Sequence, residues 1–216
     1  MKLRIGWDLD GCIAQWVQGM RQKIQKDFLP SNKFLTYEPC RWPLWECWGI
    51  DKAEFTQHFT NAVEQHHMFL DCDPYPGGIE AVHAIAEKGH SLHVVTDRGM
   101  FEQAPTDTIK WLKKHGIYDL FSSITFTGDK SVVNLDILID DYYTNCEVVS
   151  GNGVYPILID RPWNRVIDDA HACQVGGWGL SDALGKKRIS KFDRAMDWKD
   201  VVGLIDKHEE NLSATR

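Results

Sequence analysis

Short apolar runs, each bounded by polar or loop-forming residues, recur along the chain and predict the strands of a buried sheet. They are LRIGW at 3–7, LHVVT at 92–96, ITF at 124–126, ILI at 137–139 and YPILI at 155–159. Parallel sheets covered by helices on both faces contain strands of this continuous apolar character. The runs therefore predict a central parallel sheet.

Helical periodicity fills intervals between these runs. One helix is predicted by Ile79, Val82, Ile85 and Ala86, a second by Ile109, Trp111 and Leu112, and a third by Trp198, Val201, Val202 and Ile205. Pro105 and Gly116 mark the bounds of the second helix, because Pro is favoured in the first turn and Gly just past the end. The alternation of strand and helix predicts an α/β protein with a Rossmann-like three-layer core.

A long interval after the first predicted strand breaks this alternation. About eighty residues separate Asp10 from Leu92, several times what one crossover connection needs. Two apolar helical faces occur within it, formed by Ile13, Trp16, Val17, Met20, Ile24 and Phe28 and by Phe55, Phe59, Ala62 and Val63. The predicted division is a helical cap domain at 13–76, a core at 1–12 and 77–208, and a disordered polar tail at 209–216.

Composition and charge limit the classes of partner. Of the 216 residues 43% are hydrophobic, and Lys plus Arg number 24 against 31 for Asp plus Glu, a formal net charge of −7. A field of this sign repels extended nucleic acid. No apolar run approaches the ~20 residues that span a bilayer, and no secretory signal is recognised, so we expect a cytoplasmic protein without a membrane partner. The six cysteines form no C-x-x-C pair, which favours reduced thiols. A homodimer is an open alternative to a monomer.

Charged and hydroxyl side chains follow four of the predicted strands. They are Asp8 and Asp10 after the first, Thr96 at the end of the second, Lys130 after the third, and Asp140 and Asp141 after the fourth. In an open parallel sheet, ligands bind beyond the carboxyl ends of the strands. Each signal alone is more common in turns, caps or solvated surfaces, but their joint occurrence favours a functional site.

The chemistry of this set points to a metal and a phosphate. Carboxylates gathered without enough cations need a metal ion, and oxygen ligands select a hard ion such as Mg²⁺. The Lys130 ammonium and the Thr96 hydroxyl are donors suited to phosphate oxygens. A carboxylate beside the metal can also attack phosphorus and form an aspartyl-phosphate.

Four short motifs resemble those of the haloacid dehalogenase-like (HAD) superfamily of phosphotransferases. They are DLDGC at 8–12, VVTDRG at 94–99, GDKS at 128–131 and LIDDYYTN at 138–145, with Cys12 where the superfamily usually has Thr or Val. The resemblance implies that Asp8 is the nucleophile and a metal ligand. It also implies that Asp10 is the general acid and base and offers its backbone carbonyl to the metal. An acid at position 10 is typical of the phosphatases and is absent from the dehalogenases.

The same resemblance assigns the remaining residues of the motifs. Thr96 and Lys130 would bind the transferring phosphoryl group, and Lys130 would damp the charge on Asp8. Asp140 would be a metal ligand, with Asp141 as a supporting or water-bridged ligand.

A narrower similarity is to the 5'(3')-deoxyribonucleotidase family, carried by DKSVVNLDILIDD at 129–141 and DRPWN at 160–164. That family commonly has Ser after the Thr of the second motif, where this chain has Asp97 and Arg98. We include both as candidate phosphate-binding residues, on the condition that Asp97 turns away from the phosphate or pairs with Arg98.

Aromatic residues in the predicted cap are candidates for contact with a flat nucleobase. The sequence PCRWPLWECWG places Trp42, Trp45 and Trp48 close together, with Phe69 and Tyr75 further along. Packing of the cap's own core competes with this interpretation for each of them. His58, His66 and His67 match no zinc-ligand spacing, so exposed helix positions are expected.

The sequence as a whole predicts a Mg²⁺-dependent phosphomonoesterase that acts on a nucleoside monophosphate through an aspartyl-phosphate. Two alternatives stay open: action on another small phosphate ester, such as a sugar phosphate, and a non-catalytic binding module with the same fold.

Overall fold

The computed structural model describes residues 2–27, 43–165 and 191–214. Its centre is a six-stranded parallel sheet with the order β3-β2-β1-β4-β5-β6. The strands are β1 (Arg4–Trp7), β2 (Ser91–Thr96), β3 (Phe121–Phe126), β4 (Ile137–Asp140), β5 (Tyr155–Ile159) and β6 (Asp193–Ala195). The predicted parallel sheet and α/β class are confirmed.

The described residues form eight α-helices. They are α1 (Trp16–Asp27), α2 (Leu44–Trp48), α3 (Lys52–Glu64), α4 (Met68–Asp71), α5 (Gly78–Glu87), α6 (Ala104–Lys114), α7 (Tyr143–Gly151) and α8 (Trp198–Ala214). None of them is both long and apolar enough to cross a membrane.

The strand order places β1 in the middle of the sheet, hydrogen-bonded to β2 on one side and β4 on the other. Trp7 lies level with Val94 of β2 and Ile139 of β4, so the three strands end close together. The strands themselves are buried, because Leu92, Val94, Ile137 and Ile139 belong to one hydrophobic cluster with helices α5, α6 and α8. The residues that follow these three strands are therefore brought to one edge.

The insertion after β1 has a hydrophobic cluster of its own. Its buried members from α1–α4 are Trp16, Val17, Met20, Leu44, Trp48, Ala62, Val63, Met68 and Phe69. Ala104 of α6 and Trp163 also join this cluster, so it packs onto the core. The cap boundaries at 13 and 76 stay a prediction.

The structure corrects the predicted disordered tail, because α8 continues to Ala214. Leu212 packs against the main hydrophobic cluster, as do Val202 and Leu204 from earlier turns of the helix. An apolar anchor near the end of a helix gives its last turns tertiary support that a polar composition alone does not reveal. Residues 209–214 are therefore helical.

Candidate active site

A tight turn directly after β1 carries Asp8 and Asp10. The backbone N–H of Asp8 still donates to the Ile139 carbonyl, at 3.0 Å, so the first acid is held as an extension of the sheet. Gly11 follows with φ +74°, and a Cβ atom there would collide with the Asp141 carboxylate. Both the backbone conformation and the space thus require glycine at this position.

Lys130 joins two acids from neighbouring strands. Its Nζ lies 2.9 Å from Asp8 Oδ1 and 2.7 Å from Asp140 Oδ2, and all three side chains are nearly or fully buried. Burial raises the pKa of Asp8 to about 7, against the opposing attraction of Lys130. Burial also acts to lower the pKa of Lys130, but Asp140 and Asp8 outweigh it and the pKa is raised. Lys130 therefore stays charged between the two carboxylates.

Asp140 and Asp141 face different partners, because successive residues of an extended strand point to opposite sides. The Asp140 oxygens accept hydrogen bonds from Lys130, from Asn145 Nδ2 at 3.0 Å and from the Tyr142 backbone N–H at 2.7 Å. Asp141 lines the cavity described below, and burial raises its pKa well above the usual range, with Asp140 and Asp8 adding to the effect. Both acids thus lie close to Asp8: Asp140 shares the Lys130 ammonium with it, and Asp141 has a carboxylate oxygen within 4.8 Å of one of its oxygens.

Thr96 lies at the end of β2 and is fully buried. Its hydroxyl has no hydrogen-bond partner among the described residues. An unpaired buried hydroxyl costs free energy, so this donor remains available for an acceptor, but Thr96 is not among the side chains that line the cavity described below.

Arg98 pairs with Asp10 and not with Asp97, so the second of the two conditions expected for Asp97 is not met. Its guanidinium is fully buried and binds both oxygens of Asp10, with Nε 2.8 Å from Oδ2 and Nη2 2.6 Å from Oδ1. Asp97 is exposed at the cavity wall next to Gly128, and partial burial raises its pKa although Lys130 opposes this. The two residues predicted as candidate phosphate ligands therefore have separate surroundings.

The loop after β5 supports the turn after β1 and the acids after β4. Arg161 donates to the carbonyl oxygens of Gly11 and Cys12, and its guanidinium lies 3.7 Å from the Tyr75 ring centroid. Trp163 Nε1 donates to Asp141 Oδ2 at 2.8 Å, and Asn164 Nδ2 to the Asp141 carbonyl at 2.6 Å. No local sequence pattern predicts a role for these residues; the DRPWN similarity is the only signal that points to them.

A cavity of about 410 Å³ lies between this edge and the helices inserted after β1. Its lower part, here called the carboxylate floor, consists of Asp8, Asp10, Lys130 and Asp141. Its upper part, here called the aromatic wall, consists of Trp16, Trp45, Phe55, Phe59, Phe69 and Phe101. A charged floor and an apolar wall suit a ligand with an anionic end and a flat apolar end.

The three tryptophans predicted for the cap differ in position. Trp45 is half-buried in the aromatic wall, 5.5 Å from Phe55 between ring centroids. Trp48 is fully buried in the cluster of the insertion, so it packs the cap rather than facing the cavity. Trp42 lies outside the described residues.

One group of potential metal ligands exists in the part of the chain that the structure describes. It consists of Asp8, Cys12 and Asp141, with one ligand atom of each within 4.8 Å of the others. Burial raises the pKa of the Cys12 thiol well above its usual range, so the two carboxylates are the better ligands. Two buried acids with raised pKa values fit a hard divalent cation, which would neutralise them.

Comparison with known proteins adds to this geometry. Residues 2–184 match the family described as "5' nucleotidase, deoxy (Pyrimidine), cytosolic type C protein". The human mitochondrial 5'(3')-deoxyribonucleotidase is 30% identical over 143 residues, which cover 64% of this chain and 62% of that protein. The Bacillus subtilis 5'(3')-deoxyribonucleotidase is 27% identical over 160 residues, covering 72% of this chain and 75% of that protein.

Solved structures support the fold. A haloacid dehalogenase-like family hydrolase from Streptococcus pneumoniae superposes with a TM-score of 0.57 at 13% identity, covering 94% of this chain and 98% of that one. At this identity the similarity concerns the architecture alone.

Proposed function

Because the chain belongs to the family of 5' nucleotidase, deoxy (pyrimidine), cytosolic type C proteins, within the HAD-like superfamily, we propose that it is a Mg²⁺-dependent phosphomonoesterase of (deoxy)nucleoside monophosphates. The observation that carries the proposal is the position of Asp8. Its carboxylate lies 2.9 Å from the Lys130 ammonium on the carboxylate floor, beneath the aromatic wall.

The carboxylate floor has the groups that two-step phosphoryl transfer needs. Asp8 attacks phosphorus and forms an aspartyl-phosphate, while Asp10 donates a proton to the departing nucleoside oxygen. In the second step Asp10 takes a proton from water, which attacks the aspartyl-phosphate and releases inorganic phosphate. Lys130 and the Thr96 hydroxyl donate hydrogen bonds to the phosphoryl oxygens as charge develops there.

Asp8 and Asp141 would hold the Mg²⁺ ion through carboxylate oxygens, and Asp10 through its backbone carbonyl. We assign Asp141 in place of Asp140 because Asp141 lies with Asp8 in the group of potential ligands, whereas both Asp140 oxygens accept hydrogen bonds from Lys130, Asn145 or Tyr142. The bound ion would neutralise the buried acids and the substrate phosphate, so that one anion can approach another.

The aromatic wall would hold the nucleoside. Stacking on an aromatic side chain contributes about 1–3 kcal/mol per base, and a cavity of about 410 Å³ is within the range of small-molecule sites. Of the tryptophans predicted for the cap, we assign Trp45 to this contact, since Trp48 is fully buried elsewhere. The predicted cytoplasmic location and homodimer remain predictions.

Release of inorganic phosphate from a panel of monophosphates tests the proposal. We expect Mg²⁺-dependent release that EDTA abolishes, with deoxynucleoside monophosphates preferred to sugar phosphates and phenyl phosphate. Preference for a sugar phosphate would keep the phosphatase chemistry and contradict the nucleotide assignment. Release from none of the panel would favour the non-catalytic binding module.

A further inference from the structure

The guanidinium of Arg98 forms a two-point contact with Asp10. Nε and Nη2 donate in parallel to the two carboxylate oxygens, at 2.8 and 2.6 Å. A carboxylate with one hydrogen bond can still rotate about its last torsion, whereas rotation here would break two charge-assisted bonds at once. Arg98 therefore fixes the plane of the Asp10 carboxylate as well as its position.

Arg98 is itself held on its other sides. Nη1 donates to Thr108 Oγ1 at 3.1 Å, and that hydroxyl donates to the Ala104 carbonyl at 2.8 Å, which anchors the guanidinium to α6. The ring of Phe69 lies 3.9 Å from the guanidinium carbon, and Phe69 also lines the cavity. A planar guanidinium can use its edge and its face together in this way, which an ammonium cannot.

Burial separates the roles of Arg98 and Asp10. The Arg98 side chain is fully buried and is not among the side chains that line the cavity, whereas the Asp10 side chain is 22% exposed and does line it. Arg98 thus reaches the reacting atoms only through Asp10. This arrangement differs from the direct phosphate contact expected from the sequence.

We propose that Arg98 is a positioning residue, which orients the Asp10 carboxylate so that it can protonate the leaving group. The inference rests on the proposed function, because it needs Asp10 to act as a general acid. Its specific consequence is that loss of Arg98 damages the step in which the leaving group departs. For substrates whose leaving groups need no proton, kcat/KM should hardly change.

Aryl phosphates with leaving groups of graded basicity test this consequence. The quantity to measure is kcat/KM, because it reports only on steps up to leaving-group departure. For Arg98→Gln and Arg98→Lys we expect kcat/KM on phenyl phosphate to fall about a hundredfold, and on 2,4-dinitrophenyl phosphate less than about threefold. Asp10→Asn is the reference for complete loss of the general acid. Its kcat/KM should depend on leaving-group basicity at least as steeply as that of the Arg98 variants.

A matched control exists at the other end of β1. Arg4 binds Asp136 through the same two nitrogens, Nε at 3.1 Å and Nη2 at 2.7 Å, far from the cavity. Arg4→Lys should leave the ratio of the two substrates unchanged. Thr108→Val removes one anchor of the guanidinium while keeping the charge, and we expect it to steepen the leaving-group dependence by about three- to tenfold. Thr108→Val therefore tests the positioning role of Arg98 even if the Arg98 variants do not fold.

The outcomes separate the inference from the proposed function. Equal losses on both substrates in the Arg98 variants, or in Thr108→Val if those do not fold, would overturn the positioning role alone, provided that Asp10→Asn shows the steepening. If Asp10→Asn leaves the leaving-group dependence unchanged, or the unmutated protein hydrolyses none of these esters, then the proposed function and the inference both fall.

Discussion

The carboxylate floor and the aromatic wall of the cavity are built on different principles. The charged side chains of the floor are held by ion pairs with residues of other elements. Lys130 pairs with Asp8 and Asp140, and Arg98 pairs with Asp10. The wall consists of rings that pack on one another, such as Phe55 and Phe59, which stack 5.8 Å apart between centroids. The floor is thus specified by hydrogen-bond geometry and the wall by shape.

This difference implies a division of labour. A change at Asp8 or Lys130 of the floor should affect every phosphate ester, because all substrates present the same phosphoryl group to these residues, whereas a change at Asp10 should depend on the leaving group. A change in the wall should affect only substrates that carry a nucleoside, since binding energy far from phosphorus acts through orientation and water exclusion.

The largest effect is expected for Asp8→Asn. The substitution removes the nucleophile and keeps the side-chain volume, so we expect kcat to fall by at least about a thousandfold on nucleotide and aryl phosphates alike. Phosphate release and a thermal melt measure activity and folding. Asp119→Asn, an exposed acid near the start of β3, is the matched control and should retain activity. Normal turnover by a folded Asp8→Asn protein would refute the covalent mechanism.

Lys130→Met should reveal how strongly the floor depends on its central cation. It leaves Asp8 and Asp140 buried without their partner, for which we expect a loss of about 3–5 kcal/mol in the free energy of unfolding and loss of activity on all substrates. Urea titration in EDTA measures the free energy of unfolding. Lys88→Met breaks a pair with Asp206 that is exposed, and should cost less than about 1 kcal/mol. Equal losses in the free energy of unfolding for Lys130→Met and Lys88→Met would contradict a stabilising role of the buried Lys130 bridge.

Asp141→Asn and Asp140→Asn distinguish the two neighbouring acids. If Asp141 is the metal ligand, its replacement should raise the Mg²⁺ concentration for half-maximal activity by about ten- to a hundredfold. Asp140→Asn should lower kcat and stability through Lys130, and shift the Mg²⁺ requirement less than about threefold. Titration calorimetry with Mg²⁺ provides an independent readout. The opposite ranking would restore the assignment expected from the sequence.

The sequence predicted the members of the floor better than their partners. Acids directly after apolar strands could be expected at one edge of the sheet, because parallel strands end together. Which of the two acids, Asp140 or Asp141, lines the cavity could not be predicted, since this depends on which side of β4 faces the cavity. The contact between Arg98 and Asp10 spans 88 positions in the chain, and no local pattern reveals such a pair.

The wall and the smallest elements were harder to predict for a related reason. Helix α2 has five residues and β6 has three, too short for hydrophobic periodicity to appear. Whether Trp45 or Trp48 faces the cavity depends on how α2 packs, and composition alone does not contain that information. The polar sequence of α8 likewise concealed the contact of Leu212 with the core.

The division between floor and wall is tested most directly by Trp45→Ala, measured on deoxyuridine monophosphate and on phenyl phosphate. We expect kcat/KM for the nucleotide to fall about ten- to a hundredfold, equivalent to ~1–3 kcal/mol, while phenyl phosphate hardly changes. Trp48→Ala, which opens a cavity in the cap's own cluster, is the control and should destabilise the protein without changing the ratio of the two substrates. Equal losses on both substrates in folded Trp45→Ala protein would contradict the account.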